Sequence, residues 1–477
     1  MRRTVTFGLV TALNVTVTMA AGSLEKDASA ALERATKFFE SISTRGGYLW
    51  WYSEDLKQRA GENKATETQI WVQPPGTPSV GMAFLRAYEA TKNKRCLAAA
   101  KNAAEALAWG QLESGGWTYQ IDFDPENQRT FRRADKGQIS DKEILKRRNV
   151  TTFDDDTTQS ALRFLMAVVD ASAGNDGVQE ERIKSALEYG LEALLKAQYP
   201  NGAWPQGYDG KLRHPADYPI KPAQVPTRWS RTPDVKAYWS FYTFNDHAIR
   251  NCILTLLEAH RRFGKPEYLE AVKRGGDFIL LAQLPSPQAG WAQQYNFDME
   301  PSWARRFEPP AVSAGESSGI LRTLVDLHLA TGDEKYLKPV PAASGWLKRS
   351  QIASNKWARF YELGSNKPLY FTKDYRLVYT DDDLPTHYSF QSDYNIPGAL
   401  AYCEDVRQAG RDAWLRQHKP VWMAGPPSRK SRKALEPRVW EIITGLDARG
   451  RWVVNGRIES RLFIDRVQTL CDYLSAE

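Results

Sequence analysis

Gln111-Leu-Glu-Ser-Gly-Gly-Trp117 returns as Gln198-Tyr-Pro-Asn-Gly-Ala-Trp204 and, more loosely, as Gln283-Leu-Pro-Ser-Pro-Gln-Ala-Gly-Trp291. The three tryptophans are evenly spaced by 87 residues, and a fixed period marks a chain built from repeated units. Each copy follows a run with helical apolar spacing, at 100–109, 183–197 and 268–282. A weaker fourth copy, Leu446-Asp-Ala-Arg-Gly-Arg-Trp452, closes a helix expected to begin near Pro437. Helix, glycine turn, tryptophan, loop and helix is the pattern of stacked helical hairpins, in which glycine ends one helix and the indole fills the gap to the next. Repeated over 477 residues, it predicts a mostly α chain: an α/α toroid of inner and outer helices with short irregular strands at the rim. Further helical runs at 79–91, 156–171, 246–262, 316–331 and 396–408 fit this plan, and strand-like pieces are confined to 368–371, 376–379 and 451–454.

Hydrophobic residues make up 42% of the chain, ample for a large core, and aromatics 12%, with 16 Trp. Aromatic rings in that number suit carbohydrate faces as well as packing. A net charge of +7 fits an acidic partner, and no basic helix or nucleic-acid module argues for DNA or RNA. The amino terminus, basic at Arg2 and Arg3, apolar from Val5 to Ala21 and ending in small residues, reads as a cleaved signal peptide over 1–21. The mature chain is therefore expected to be secreted or periplasmic, free of the membrane and monomeric. Cys96, Cys252, Cys403 and Cys471 lack metal-knuckle or redox spacing and read as buried thiols, or one or two bridges at most.

Acidic and amide side chains gather immediately before two of the helical runs: Asn149-Val-Thr-Thr-Phe-Asp-Asp-Asp-Thr-Thr-Gln159 and Tyr242-Thr-Phe-Asn-Asp246. Helix capping accounts for one such residue in each segment. Three consecutive aspartates, Asp154 to Asp156, exceed what a cap needs, and their mutual repulsion is costly unless a metal, an arginine or water relieves it, which makes an oxygen-liganded cation such as calcium a candidate. The two helix mouths are thus candidates for sharing one ion.

Thr152-Phe-Asp154, Asn201-Gly-Ala-Trp-Pro-Gln206, Thr243-Phe-Asn-Asp246, Gly290-Trp-Ala-Gln-Gln-Tyr295, Glu316-Ser-Ser-Gly-Ile-Leu-Arg322 and Trp357-Ala-Arg-Phe-Tyr-Glu362 occur in this order. In them the chain resembles the pectate lyases of polysaccharide lyase family ten. The resemblance implies cleavage of α-1,4-galacturonan, an acidic polysaccharide, by calcium-assisted β-elimination. It implies Asp154 and Asp246 as calcium ligands with Asp155 and Asn245 beside them. It further implies Arg322 and Arg359 as carboxylate binders, with Lys367 and Trp204 also at the substrate. Such chemistry needs the uronate carboxylate neutralised before its C5 proton becomes acidic, which cations and guanidinium groups achieve.

Two departures bear on the chemistry. The family's catalytic arginine, fourteen residues beyond Arg359, is replaced by Lys373, and Lys367 stands where the family has arginine. Lys373 is the expected base, acting together with Arg359, and His387 is the next candidate. The family's arginine-rich closing segment is replaced by Asp381-Asp-Asp-Leu-Pro-Thr-His387-Tyr388. A groove that binds uronans without catalysis is the competing reading, and a toroid-type isoprenoid cyclase a more distant one. The resemblance assigns residues 22–410 to the catalytic toroid. Residues 411–477, which contain the basic connector Pro426-Pro-Ser-Arg-Lys-Ser-Arg-Lys433, form a helical extension that either completes the ring or packs outside it.

Overall fold

The computed structural model describes residues 21–174, 177–423 and 431–476. The expected signal peptide lies outside them apart from Ala21, where the first helix begins, and most of the basic connector lies outside them as well. In chain order the helices are α1 (Ala21–Ser41), α2 (Thr77–Thr91), α3 (Lys94–Gly110), the short α4 (Asp141–Ile144), α5 (Thr157–Ala171), α6 (Val178–Lys196) and α7 (Ala248–Phe263). They continue with α8 (Pro266–Leu281), α9 (Ala314–Thr331), α10 (Val340–Arg349), α11 (Ile396–Ala409), α12 (Arg411–Gln417), α13 (Arg432–Thr444) and α14 (Ser460–Leu474). The fold is an α/α toroid. Inner helices follow one another in space as α14, α2, α5, α7, α9 and α11, and outer helices α13, α3, α6, α8, α10 and α12 pack behind them in the same order.

The repeated tryptophans explain why each hairpin closes in the same way. Trp117 Nε1 donates to the Leu107 carbonyl, Trp204 Nε1 to Leu194 and Trp291 Nε1 to Ile279, at 2.8, 2.9 and 2.9 Å. Each acceptor lies in the last turn of an outer helix, where carbonyls have no intrahelical partner. Trp357 and Trp452 make the same bond to Leu347 and Ile442. The glutamine that opens the motif ties each turn to the next outer helix: Gln111 Nε2 donates to Gly115 and Ala186 carbonyls, and Gln198 Nε2 to Gly202 and Ala271. Gly202 has φ +96°, and a Cβ there would stand 2.0 Å from the Arg274 carbonyl oxygen, so glycine is required.

At the rim, the short strand preceding each of α2, α5, α7 and α9 pairs antiparallel with the strand after the next hairpin's tryptophan. Gln69–Trp71 pairs with Gln120–Asp122, Thr151–Thr152 with Gly207–Tyr208, and Tyr242–Thr243 with Gln294–Tyr295. Ala311–Ser313 pairs with Phe360–Glu362. The carboxyl-terminal residues belong to the same body. Strand Arg457–Glu459 pairs with Trp51–Ser53, α14 packs on α1 and α2, and Phe463 stacks on Phe39 at 3.7 Å. One continuous apolar core runs from Leu24 to Tyr473. All four cysteines are buried free thiols, and among the described residues no helix is long and apolar enough to cross a membrane.

Several sequence expectations need correction. Helix α1 escaped notice, and α13 begins at Arg432, five residues before Pro437. Helix α7 starts at Ala248 rather than Asp246, because Asp246 and His247 both adopt the left-handed conformation. Trp204 is fully buried, with its indole nitrogen spent on Leu194. It is therefore a core residue and offers no face to a substrate.

Accordingly, Trp204→Ala is expected to lower the unfolding free energy by about 3–5 kcal/mol, the range for truncating a buried tryptophan, read from the urea midpoint. A variant that keeps wild-type stability and loses carbohydrate binding would restore the ligand role.

Candidate active site

Thr152-Phe-Asp-Asp-Asp156 and Thr243-Phe-Asn-Asp-His247 fold into the same turn. Phe153 and Phe244 have nearly equal dihedrals, and the two residues before each helix are left-handed: Asp155 and Asp156 at φ 49° and 60°, Asp246 and His247 at 46° and 62°. Two consecutive left-handed non-glycine residues carry strain that surrounding contacts must hold. Helices α5 and α7 are adjacent inner helices, so the twin turns face each other. They bring carboxylate oxygens of Asp154, Asp155 and Asp246 within 4.8 Å of one another.

The third aspartate goes elsewhere. Asp156 pairs with Arg163 on its own helix, which supports the helix start rather than the cluster.

Polar groups fix the cluster from all sides. Asn245 Nδ2 donates to Asp154 Oδ1 at 3.2 Å and to Asp246 Oδ2 at 2.8 Å. Tyr119 Oη donates to Asp154 Oδ2 at 2.9 Å, Gln206 Nε2 donates to the same oxygen, and Gln73 Nε2 donates to Asp155 Oδ2 at 2.8 Å. Tyr119, Gln206 and Gln73 each stand two positions after a buried tryptophan: Trp117, Trp204 and Trp71. Gln293 and Arg359 hold the same place after Trp291 and Trp357. At Trp117, Trp204 and Trp357 the anchoring indole thus delivers the second residue beyond it to the site, so that Gln206, and not the anchor Trp204, is the contact.

Burial pushes the Asp155 carboxyl up to about 7, with the neighbouring Asp154 and Asp246 charges adding to the effect. Asp154 is raised as well, first by burial and then by Asp246. The buried Asn245 Oδ1 has no hydrogen-bond partner among the described residues. Three crowded carboxylates and an orphaned amide oxygen form an all-oxygen donor set that suits calcium, with Asp154, Asp155 and Asp246 as the residues to hold it.

Two arginines face this negative patch. Arg359 is half-buried, 3.2 Å from Glu316 and 4.5 Å over the Tyr388 ring. Burial opposes its charge, but Tyr388, Glu316 and Asp246 together hold its proton more firmly than usual. Glu316 is 3% exposed, and burial pushes it up to about 8. Arg305 acts electrostatically on Asp154, Asp155 and Asp246. Its Nε and Nη2 both donate to Glu308, at 2.9 and 2.6 Å, which leaves Nη1 outside that pair. Tyr388 links the two arginines: its hydroxyl donates to Glu308 Oε1 at 3.1 Å, and its ring lies beneath both guanidiniums. Arg305, Glu308 and Tyr388 were not singled out from sequence.

The remaining expected residues lie at varying remove. Arg322 is half-buried on α9, with Nη2 3.4 Å from the Asn395 carbonyl, and its charge reaches His247. Lys373 is 66% exposed and paired with Asp383 at 3.0 Å. It stays on the rim, two residues from Tyr375, which packs on Phe307 at 5.6 Å, but the structure does not bring it to the carboxylates. Lys367 is exposed, 5.7 Å over the Tyr379 ring. His387 packs edge-on against Phe307 at 5.1 Å.

The family model for pectic acid lyase matches residues 111–356, just over half of the chain. The chain belongs to the pectic acid lyase family. Among solved structures it is similar to a family 10 polysaccharide lyase from Cellvibrio cellulosa, at 20% identity, covering 70% of this chain and 98% of that one with a TM-score of 0.45. A mutant of that lyase, similar at 19% identity over the same shares and with the same TM-score, was solved in complex with trigalacturonic acid. A D-mannose isomerase is similar at 12% identity, covering 96% of this chain and 98% of that one, also with a TM-score of 0.45. No curated relative matches.

The pH dependence of the cation-free protein follows from the cluster. Because the folded-state value of Asp155, about 7, lies above that of an exposed aspartate, the folded protein holds a proton that the unfolded chain releases. Stability from this group is present at low pH and falls as pH rises toward neutrality. With chelator present, Asp155→Asn should therefore unfold at higher urea than wild type at about pH 8, an advantage that shrinks as pH falls below about 7 and is lost at about pH 4. An equal shift at both would show that the carboxylate is not perturbed.

Proposed function

We propose that this family member is a pectate lyase, cleaving α-1,4-galacturonan by β-elimination with calcium as cofactor. The observation that carries this reading is the facing of three crowded carboxylates by two arginines held in place through Tyr388. Calcium held by Asp154, Asp155 and Asp246 would neutralise the uronate carboxylate and so acidify its C5 proton. The chain's own residues do the rest. Arg359, with its charge secured, binds a uronate carboxylate, and Arg322 serves a neighbouring one. Asn245 and Gln206 keep the carboxylates oriented. The C5–H bond breaks as its proton passes to a basic side chain, the electron pair forms the C4–C5 double bond, and the glycosidic oxygen leaves from C4.

Two side chains compete for the base. Lys373 has the position that the resemblance gives to proton abstraction, but its ammonium is tied to Asp383 at the surface. Arg305 is favoured by its place: its field reaches all three carboxylates, and the Glu308 pair orients it while leaving Nη1 uncommitted. Arg305 is itself partly exposed, at 43% of its side chain, and the Glu308 pair raises its proton affinity against the cost of desolvation. A base held charged at rest gains activity as pH rises, so turnover should climb through the alkaline range.

The deciding experiment follows ultraviolet absorbance of the unsaturated product from polygalacturonate. Calcium should be required, and Arg305→Ala should lower kcat by at least about 100-fold, the scale of a lost general base, while Lys373→Ala stays within about threefold. The reverse order of effects would transfer the role to Lys373. Wild type that binds polygalacturonate without forming product would favour the uronan-binding reading.

The expected export of the mature chain accompanies this proposal, because its polymeric substrate lies outside the cell. It is tested by locating the protein in culture fractions of an expressing host.

A further inference from the structure

Residues 209–241, between the strands Gly207–Tyr208 and Tyr242–Thr243, form a long loop with little regular structure. Loops of such length within a compact body are commonly functional. One end of it reaches the active site, since half-buried Tyr238 feels the charges of Glu308, Arg305 and Asp154. Its middle is stapled to the opposite rim. Trp303 Nε1 donates to the Ser230 carbonyl at 2.8 Å, Trp229 packs on Trp303 at 6.5 Å, and Arg231 Nη2 pairs with Glu362 Oε1 at 2.5 Å.

Glu362 thereby becomes the hub of a second group of side chains. Tyr379 Oη donates to the same Oε1 at 2.7 Å, and Lys367 Nζ stands 5.7 Å over the Tyr379 ring. The Arg231 guanidinium lies 4.3 Å over Trp229. Tyr379 is 48% exposed and the Arg231 side chain 52%, and Lys367 is exposed. Two cations, each stacked on an aromatic ring and one of them oriented by a carboxylate, converge from segments far apart in the chain. An aromatic face offers a surface to a sugar ring, and an exposed cation beside it selects one that bears a carboxylate. The loop that carries Trp229 and Arg231 continues to Tyr238, which feels the Asp154 charge, so one loop joins this group of side chains to the carboxylate cluster.

We propose that Trp229, Arg231, Lys367 and Tyr379 form a distal subsite for a uronate unit of a polymer whose reacting unit lies at the Asp154–Asp246 cluster. This rests on the uronan reading given above. The subsite makes the protein favour long chains over short ones, because only a long chain reaches both places at once.

The test is calorimetric binding of polygalacturonate and of trigalacturonate, with calcium present, to wild type and to the double variant Trp229→Ala/Lys367→Ala. Arg231 is retained so that Glu362 keeps its partner, and thermal unfolding checks that the variant is folded. A second, single variant, Lys367→Gln, removes the charge with the least change of shape. The double variant should lose about tenfold in affinity for the polymer, the scale of one or two exposed cation and ring contacts, while its affinity for the trimer is unchanged. Lys367→Gln should reduce the salt dependence of polymer binding. Polymer affinity equal to wild type in both variants, or equal losses for polymer and trimer, would overturn the subsite alone. Wild type that binds neither ligand would overturn the uronan reading and the subsite with it.

Discussion

The bond from an indole N–H to the last turn of the preceding outer helix is the constraint on which the molecule depends. Five tryptophans make it, each to a carbonyl ten or twelve residues earlier. It satisfies a helix-end acceptor that would otherwise be buried unpaired, and it fixes where the chain leaves the hairpin for the rim. Because the exit is fixed, so is the residue two positions later. Tyr119 and Gln206 reach Asp154 in this way, and Arg359 reaches Glu316 and Tyr388. A stability device, repeated around the ring, doubles as the means of placing polar groups at the mouth.

What those groups surround is electrostatically costly. Burial raises the proton affinity of Asp154 and Asp155, the neighbouring Asp246 charge adds to it at both, and buried Glu316 is raised too. The arginines compensate only in part, since Arg305 spends two of its nitrogens on Glu308 and Arg359 shares its charge with Glu316. Left-handed backbone at Asp155 and Asp246 adds strain at the carboxylates themselves. Crowded like charges on strained turns are what a protein retains where a ligand of opposite charge repays the cost. Under the proposed function, an acidic polymer bridged by a divalent cation would meet both halves of the site, the carboxylates through the ion and the arginines directly.

The spacing of Trp117, Trp204 and Trp291 made the toroid legible in the sequence, because periodic anchors and helical apolar runs are local signals. Asp154, Asp155, Asn245 and Asp246 were legible through motif and composition, and the structure brings them together. Arg305, Glu308 and Tyr388 were not. Their link is a contact between chain segments some eighty residues apart, and Arg305 stands in the sequence beside an equally plain Arg306. The misreading of Trp204 has the same origin: conspicuous aromatic rings suggested sugar faces, while the period that revealed them was the period of core anchors. The boundary drawn at residue 410 followed the fading of motifs, whereas the core and the strand pairing with Trp51–Ser53 run through to the last helix.

In the proposed function the twin turns before α5 and α7 hold one divalent cation between them. A crystal structure of the mature protein grown with calcium and an oligogalacturonate, with anomalous scattering used to locate the ion, tests this most directly. The expected result is a calcium peak ligated by carboxylate oxygens of Asp154 and Asp246 and by a substrate carboxylate, with Asp155 adjoining. A bound oligomer beside these residues with no ion among them, or an ion held elsewhere on the rim, would contradict it.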